Sequence, residues 1–372
     1  MQVNKIDIKP AWLFTDAAGK RLGPELFEIL RAIRETGSVQ RAAKATGFSY
    51  RHLWNLTAKW SRFFSGPLVQ FRRGQGAKLT ALGEKLLWAE ARIEASLSSH
   101  LSNLTTVLER DINEALATAR PLIYVHASHD LVLGKLRDLF NQNNHSKLEV
   151  HFCGSLDALA SLCRANCDIA GFHLPSGLAG MGLLKKYSRF LKPRVQKLIQ
   201  FATRCQGIMV APSNPHVIQR LADLTRRDVR FVNRQPGSGT RLLFDELLLH
   251  HNIDSMKISG YEAEEFTHAA VAATVASGLA DAGFGIQAAA HQYGLKFIPI
   301  INERYFLTCH EETLRRPEIS SLLGLLRKDE FKSLIARYPG YDGTHSGQVT
   351  SVSEAFPDIV KKIRRPNSRS KP

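Results

Sequence analysis

The chain is poor in cysteine and in acidic residues, and it contains no long apolar run. Its five cysteines are an odd number at irregular spacing without a CxxC pair, which argues against a disulfide framework and against a zinc site. Its fourteen histidines form no HExxH motif. No apolar run approaches the ~18 residues of a membrane-spanning helix, and the first residues have no apolar signal core. We therefore expect a cytoplasmic protein that binds no membrane, metal or cofactor.

Basic residues outnumber acidic ones, and the surplus is unevenly distributed. The 372 residues include 50 Lys or Arg against 34 Asp or Glu, a formal net charge of +16. Between Lys20 and Arg92, fourteen basic residues stand against five glutamates, and the segment from Ile359 onward adds six bases and no acid. Such an excess indicates a polyanionic partner, with nucleic acid as the first choice. We assign this partner to the N-terminal fifth of the chain, with help from the tail.

Three short helices and a basic hairpin are predicted for the N-terminal region. Ser38 and Ser49 can cap the second and third helices, and LVQFRRGQGAKLT then reads as two strands around a basic tip. This order is the winged helix-turn-helix layout, in which the third helix enters the major groove of double-stranded DNA and the wing contacts phosphates. Trp54 could support the third helix or contact a base. The candidate DNA-binding residues are Ser38, Gln40, Ser49, Tyr50, Arg51, His52, Asn55, Lys59, Arg72, Arg73 and Lys78.

A long helix is predicted from Thr80 to about Ala117. Leucine and isoleucine recur there at three-, four- and seven-residue steps, from Leu82 to Ile112. A narrow apolar seam of this kind favours pairing with the same helix of a second copy, and packing against its own domain is the alternative. A homodimer or higher homo-oligomer would present two recognition helices to two half-sites.

Beyond Pro121, strand and helix patterns alternate as in βαβ units of a parallel sheet. A second α/β unit begins at RFVNR, and RYFLTCH returns to the first. The expected fold class is α/β, with an α-rich N-terminal winged helix-turn-helix and a two-lobed, hinged sensor domain. We divide the chain into a DNA-binding domain (1–79), a linker and dimerisation helix (80–118), a two-lobed ligand-sensing domain (119–340) and a basic tail (341–372).

A glycine-rich turn, RQPGSGTR, follows the strand RFVN and opens a helix. Its glycines allow a tight turn, its hydroxyls can donate, and the first N–H groups of the helix favour an anion. It is neither a Walker A loop nor a GxGxxG motif. Arg241 could instead pair with Asp245 one helical turn later. The predicted anion-binding residues of this turn are Gly237, Ser238, Gly239, Thr240 and Arg241.

Two further turns repeat this arrangement. Ser128 and Ser155 stand at the carboxyl ends of predicted parallel strands and at the starts of helices, where open α/β sheets bind ligands. Helix capping is the ordinary role of serine at such positions, and it is compatible with ligand binding. His129 and His268 are weaker candidates for the same ligand.

No catalytic constellation is visible in the sequence. Ser128, His129 and Asp130 are consecutive, so their side chains diverge, whereas a hydrolytic triad is a spatial arrangement of separated residues. There is also no GxSxG elbow. We therefore expect a binding protein and no enzyme.

Two groups of motifs suggest known families. GPELFEILRAIRETGSVQRAAKATGFSYRHLW and LVQFRRGQGAKLTALGEKLL, within residues 20–92, resemble the winged helix of the molybdate-responsive ModE-type regulators. Residues 120–340 do not resemble the small oxyanion-binding barrels that complete those regulators. Through ASHD, GSLDALASL, NRQPGSGTRLLFDELL and ASGLADAGFGI, they are similar to the type 2 periplasmic-binding-protein-like domain of molybdate-type solute receptors.

The resemblance implies a one-component transcriptional regulator, in which a DNA-binding module is fused to a cytoplasmic ligand sensor. Molybdate or tungstate is the first expectation for the effector, on the resemblance alone, and sulfate, formate or another carboxylate would satisfy the same donors. The competing classes are an anion-binding or transport protein without sequence-specific DNA binding, and an enzyme of molybdenum cofactor metabolism. The enzyme would need a nucleophile, a base or a metal site, and none is visible.

Overall fold

The computed structural model describes residues 6–16, 19, 21–23, 25–72, 76–115 and 121–357. The chain forms two compact units, one of residues 9–96 and the other of residues 1–8 and 97–372. No helix in the described part is long and apolar enough to cross a membrane. The wing residue Arg73 and the basic residues after Ile359 lie outside the described residues.

The N-terminal unit contains the predicted three helices and hairpin. Gly37 and Gly47 end the first two helices in the left-handed conformation, with φ of 64° and 73°. The Ser38 and Ser49 hydroxyls each accept the backbone N–H of the third residue on, so the predicted caps are confirmed. The elements are β1 (Phe14–Thr15), β2 (Arg21–Leu22), α1 (Leu26–Thr36), α2 (Val39–Thr46), α3 (Tyr50–Phe63), β3 (Val69–Arg72) and β4 (Gly76–Leu79).

The hairpin β3–β4 is anchored to the turn between α1 and α2. The Ala77 N–H donates to the Gly37 carbonyl at 2.9 Å. A Cβ on Gly76 would come within 2.2 Å of the same carbonyl oxygen, so this position requires glycine. Leu53 and Trp60 hold α3 in the core that α1 and α2 share, which leaves the opposite face of α3 to solvent.

A long helix, α4 (Ala81–Ala115), carries the predicted apolar seam. Leu82 and Leu86 pack against the core of the N-terminal unit. Farther along, Leu97, Leu104 and Leu108 are exposed, with 58% of Leu104 accessible. The seam is therefore divided, because its first part packs on its own domain and its second part leaves an apolar stripe at the surface.

The C-terminal unit has a mixed sheet with helices on both faces, each face covering its own apolar core. Its strands are β5 (Leu122–Ala127), β6 (Lys147–Phe152), β7 (Ile169–Pro175), β8 (Gln196–Val210), β9 (Phe231–Arg234), β10 (Glu264–Glu265), β11 (Ala282–Ile286), β12 (Lys296–His310), β13 (Tyr341–Asp342) and β14 (Val349–Ser351). Its helices are α5 (Leu131–Asn143), α6 (Ser155–Cys163), α7 (Gly177–Tyr187), α8 (Gly239–His250), α9 (His268–Ala276), α10 (Gln287–Gln292), α11 (Pro317–Arg327), α12 (Asp329–Ala336) and α13 (Val352–Ala355).

Two long strands join the two lobes of this unit. The strand order is β10-β9-β11-β8-β12-β7-β5-β6. In the first lobe β5 pairs in parallel with β6 and β7, and in the second β9 pairs in parallel with β10 and β11. Between them β8 and β12, of 15 residues each, run antiparallel along their length. The predicted two-lobed α/β organisation is present.

The sensor domain extends beyond the predicted boundary at residue 340. β13 and β14 both pair with β8, and the side chains of Val352 and Phe356 are buried in the core. Residues 341–357 are therefore part of the folded unit and not of a tail. Their irregular spacing of apolar residues, separated by a polar loop, gave no periodic signal in the sequence.

Candidate functional site

The glycine-rich turn and the two serine turns meet at the centre of the C-terminal unit. Ser128 Oγ and Ser155 Oγ lie 2.9 Å apart. A Cβ on Gly239 would lie 3.0 Å from Ser155 Oγ, so the start of α8 packs directly on the start of α6. The predicted ligand-binding turns are thus brought together, although they come from different lobes.

Neither serine caps its helix through its side chain. The Asp130 carboxylate caps α5 by accepting two backbone N–H groups, and Gly154 stands at the N-cap of α6. Ser128 lies before the cap of α5, and Ser155 is the first residue of α6. The capping role considered from the sequence is therefore absent, and both hydroxyls are free of that task.

The glycine-rich turn uses its two glycines for different reasons. Gly237 has a φ of +79°, which favours glycine, whereas Gly239 is needed for its close approach to α6. The Ser238 hydroxyl caps α8 by accepting the N–H of the third residue on. Thr240 Oγ1 lies 3.5 Å from His268 Nε2, at the limit of a hydrogen bond. The turn is therefore rigid, with its hydroxyls fixed in place.

Arg241 does not present a free charge to the turn. Its Nε donates to Asp245 at 3.2 Å, one helical turn later, and its guanidinium lies 4.0 Å from the ring centroid of Tyr261. Its Nη1 donates to the Arg234 carbonyl. The alternative pairing considered from the sequence is the one present, so the charge of Arg241 is already compensated.

A buried ion-pair network adjoins the serine turns. Arg204 donates to Asp130 at 2.6 Å and to Glu303 at 2.5 Å, and these three side chains are at most 2% exposed. Tyr341 Oη donates to the same Asp130 oxygen at 2.6 Å. Burial lowers the pKa of Arg204, but Glu303, Tyr341 and Asp130 outweigh it and raise that pKa above its ordinary value. Arg204 therefore stays charged and ties α5 to β8, β12 and β13.

Arg234 is a second buried cation, and among the described residues it forms no salt bridge. Only 3% of it is exposed. Its Nε donates to Gln235 Oε1 at 3.1 Å and its Nη2 to the Phe266 carbonyl at 3.0 Å, and both partners are neutral. Burial and repulsion by Arg204 lower the pKa of Arg234 to about 9. Because a buried charge without a counter-charge is costly, this position favours an anion.

The buried His173 and His268 and the half-buried His129 complete a group that we call the basic cluster: Arg204, Arg234, His129, His173 and His268. Within the described chain, neither ring nitrogen of His173 has a hydrogen-bond partner, and the same holds for Nδ1 of His129 and of His268. Burial and the two arginines lower the pKa of His129 to about 4, and they hold the pKa of His173 and His268 well below the ordinary value. His129 and His173 also lower the pKa of His268, so the members lie within electrostatic range of one another.

Sequence reasoning missed Arg204 and His173, and it included Arg234 in the motif RQPGSGTR without naming it among the binding residues. Each lies in a strand that is buried on both faces, where charged side chains are rare unless they are paired. An arginine at the end of the apolar run RFVNR, and a histidine within GFHL, were the signals that could have indicated them. Among the described residues, no group of three or more His, Cys, Asp or Glu is arranged to hold a metal ion.

The candidate DNA-binding residues lie in the N-terminal unit, mostly at its surface. Tyr50 is 53% exposed on α3. The Trp54 ring packs at a tilt against Phe71 of β3 with ring centroids 4.4 Å apart, so α3 and the hairpin support each other. Arg72 ends β3, and Arg73 lies outside the described residues. The exposed candidates are Gln40, Ser49, Tyr50, Arg51, His52, Asn55 and Lys78, and the partly buried ones are Ser38 and Lys59.

Comparison with known proteins matches residues 136–327 to the family model of the PBP superfamily domain. The uncharacterized protein YvgK of Bacillus subtilis (strain 168) is 31% identical over 245 residues, which are 64% of this chain and 77% of YvgK. The molybdenum-pterin-binding protein MopB of Rhodobacter capsulatus is 35% identical over 105 residues, 27% of this chain and 39% of MopB. The molybdenum transport protein ModE of Herbaspirillum seropedicae is 36% identical over 76 residues, 19% of this chain and 28% of that protein. The chain thus spans most of YvgK but well under half of the two molybdenum proteins.

The two buried arginines should respond oppositely to replacement. Arg204→Met leaves Asp130 and Glu303 buried without a cation and should lower the free energy of unfolding by about 3–5 kcal/mol. Arg234→Met removes an uncompensated cation and should leave that free energy unchanged or raise it. Chemical denaturation without added oxyanions measures both. An equal loss of stability in the two variants would show that Arg234 is a structural cation like Arg204.

Proposed function

Because the chain belongs to the PBP superfamily, we propose that it is a transcriptional regulator whose C-terminal unit binds a small oxyanion and whose N-terminal unit binds DNA. The observation that carries the ligand assignment is Arg234, a buried cation whose hydrogen-bond partners are neutral. The exposed polar and cationic face of α3 supports the DNA assignment. The role is one of binding and not of catalysis.

The surroundings of Arg234 suit a compact anion. The helices α6 and α8 begin against each other, and each directs backbone N–H groups and a partial positive charge towards its start. The hydroxyls of Ser128 and Ser155 add donors at the same place. Donors and positive charge together with few acceptors favour an oxyanion over a cation or an apolar ligand.

Molybdate and tungstate are the first ligands to test. MopB is named for binding molybdenum-pterin and ModE for molybdenum transport, which supports a molybdenum oxyanion here as well. Sulfate, phosphate, formate and small carboxylates present the same acceptor oxygens, so they belong in the same comparison.

The DNA-binding half rests on the order and charge of the N-terminal elements. As a winged helix-turn-helix, this unit would insert α3 into the major groove, where Arg51, His52 and Asn55 can bond base edges. The hairpin, with Arg72, Arg73 and Lys78, would hold phosphates. The exposed stripe of α4, formed by Leu97, Leu104 and Leu108, would pair two copies so that two such helices meet two half-sites.

The helix α4 also contacts both lobes close to the ligand site. Asn103 exchanges two hydrogen bonds with the backbone of Phe152, at 3.0 and 2.8 Å, just before the turn that holds Ser155. His100 packs on Phe266 with ring centroids 5.7 Å apart, and the Phe266 carbonyl accepts a bond from Arg234. A ligand that favours one lobe arrangement would thereby change the position of α4 and the geometry of the dimer.

A melting screen of the full chain tests the ligand assignment. A ligand that binds only the folded state adds about 2.7 kcal/mol of stability at one hundred times its Kd, so one or two of the anions above should shift the melting temperature clearly. Arg234→Gln and Gly239→Val should abolish the shift, the first by removing the cation and the second by forcing α6 and α8 apart. Arg220→Gln, an exposed arginine, should retain it. A shift that survives Arg234→Gln, or no shift with any anion, contradicts the assignment.

Binding to DNA from upstream of the protein's own gene tests the other half, with an unrelated duplex as reference. Arg51→Ala should weaken specific binding by about 1–3 kcal/mol and relax the preference for one base. Lys78→Ala should weaken both duplexes alike and reduce the slope of log affinity against log salt by about one. If Arg51→Ala, like Lys78→Ala, lowers the affinity for both duplexes equally, Arg51 does not read a base. Absence of binding to either duplex favours the competing class, an anion-binding protein without sequence-specific DNA recognition.

Glutamate at both Leu97 and Leu104 should dissociate the dimer, because it places like charges in an apolar helix interface. Sedimentation of the double variant measures the oligomeric state, and circular dichroism checks that α4 remains helical. An intact dimer would assign the interface to another surface.

A further inference from the structure

We propose that the basic cluster binds a dianion together with protons, which its histidines take up as the ligand enters. This inference rests on the proposed anion-binding function and deepens it, because it names the charge class of the ligand and a dependence of its binding on pH. The inference is drawn from the charged groups in and around the basic cluster, and from histidine ring nitrogens that have no hydrogen-bond partner in the described chain.

When its histidines are neutral, the cluster with its paired carboxylates has no net positive charge, and the buried Glu265 on β10, in register with Arg234, adds a negative one. Arg204 and Arg234 are positive, and the carboxylates of Asp130 and Glu303, both paired with Arg204, are negative. A dianion added here would leave at least two uncompensated negative charges in a mostly buried region, which is strongly unfavourable. Protons on the histidines restore the balance. A monoanion such as formate would need fewer of them.

His173 is the best-placed proton acceptor. Its ring stacks on Tyr305 with centroids 3.9 Å apart, and only 1% of the residue is exposed. Its Nδ1 would lie 3.6 Å from a Cβ on Gly239, beside the start of α8 and Ser155. A neutral imidazole has one donor and one acceptor, whereas the protonated ring donates from both nitrogens. Since both nitrogens of His173 are unbonded in the described chain, protonation gives the anion a new donor without breaking an existing bond.

His129 and His268 offer a second and a third acceptor. Each has an unbonded Nδ1 in the described chain, and His268 Nε2 approaches Thr240 of the glycine-rich turn. The titratable and charged groups that surround the histidines come from every adjoining element. They are Asp130 at the cap of α5, Arg204 on β8, Arg234 on β9, Glu265 on β10, Glu303 and Tyr305 on β12, and Tyr341 on β13.

The direction of the pH dependence follows from these neighbours. In the free protein, burial and the two arginines keep the histidine pKa values low, to about 4 for His129, so the rings are neutral near neutral pH. A bound dianion supplies the opposite charge and raises each pKa. The complex therefore holds more protons than the free protein, and its affinity rises as the pH falls from about 8 towards about 6.

Isothermal titration calorimetry of the full chain with molybdate, tungstate and sulfate tests this. Titrations in two buffers of different ionisation enthalpy measure how many protons the protein takes up when each anion binds. We expect the protein to take up about one to two protons for each dianion that binds. For each of these protons, the Kd should fall about tenfold when the pH is lowered by one unit. His173→Gln should remove up to one proton and flatten the slope. His151→Gln, on the exposed side of β6, is the matched control and should change neither.

The possible outcomes separate this inference from the proposed function. Anion binding with a pH-independent Kd and no proton uptake overturns the coupling and leaves the anion site standing. His129→Gln and His268→Gln extend the test, so that misfolding of one variant does not prevent it. Uptake that persists unchanged in all three variants excludes the histidines and overturns the proposal. If none of the three dianions binds, the dianion assignment fails, and the melting screen with formate, phosphate and small carboxylates then decides the oxyanion-binding function.

Discussion

The two ion pairs of Arg204 are the interaction on which the C-terminal unit depends. The Arg204 guanidinium, on β8, binds Asp130 at the cap of α5 and Glu303 on β12. Tyr341 of β13 donates to the same Asp130 carboxylate. Removing water from these groups is tolerable only because every charge meets its opposite. Since Asp130 and Glu303 are occupied in this way, they are not available to Arg234 nearby, whose charge stays uncompensated.

The basic cluster is thus a place where the fold is less stable than it could be. Burying Arg234 beside a second arginine, and leaving ring nitrogens of three histidines unbonded, costs free energy that apolar side chains of similar size would save. Proteins break such local rules mainly at functional positions. The rigid glycine-rich turn and the apolar cores on both faces of the sheet hold the strained arrangement in place.

Much of the fold could be predicted because its signals are local. Helix ends at Gly37 and caps at Ser38 depend on neighbouring residues, and the serine and glycine-rich turns follow from the rule for strand ends. The basic cluster could not be predicted in the same way. The role of Arg204 depends on Asp130 and Glu303, which lie 74 and 99 residues away along the chain. For Arg241 the sequence leaves two roles open, anion binding and pairing with Asp245, and the fold decides for the second.

The order of the strands has a consequence for the synthesis of the protein. β12 lies between β7 and β8 in the sheet but follows the whole second lobe in the sequence, so those two strands leave the ribosome with unpaired edges. Pairings between distant residues form slowly, and exposed edges invite association with other chains. We expect the nascent chain to depend on chaperones until β12 has emerged, and to complete the hydrogen bonds around Asp130 only after Tyr341 has emerged as well.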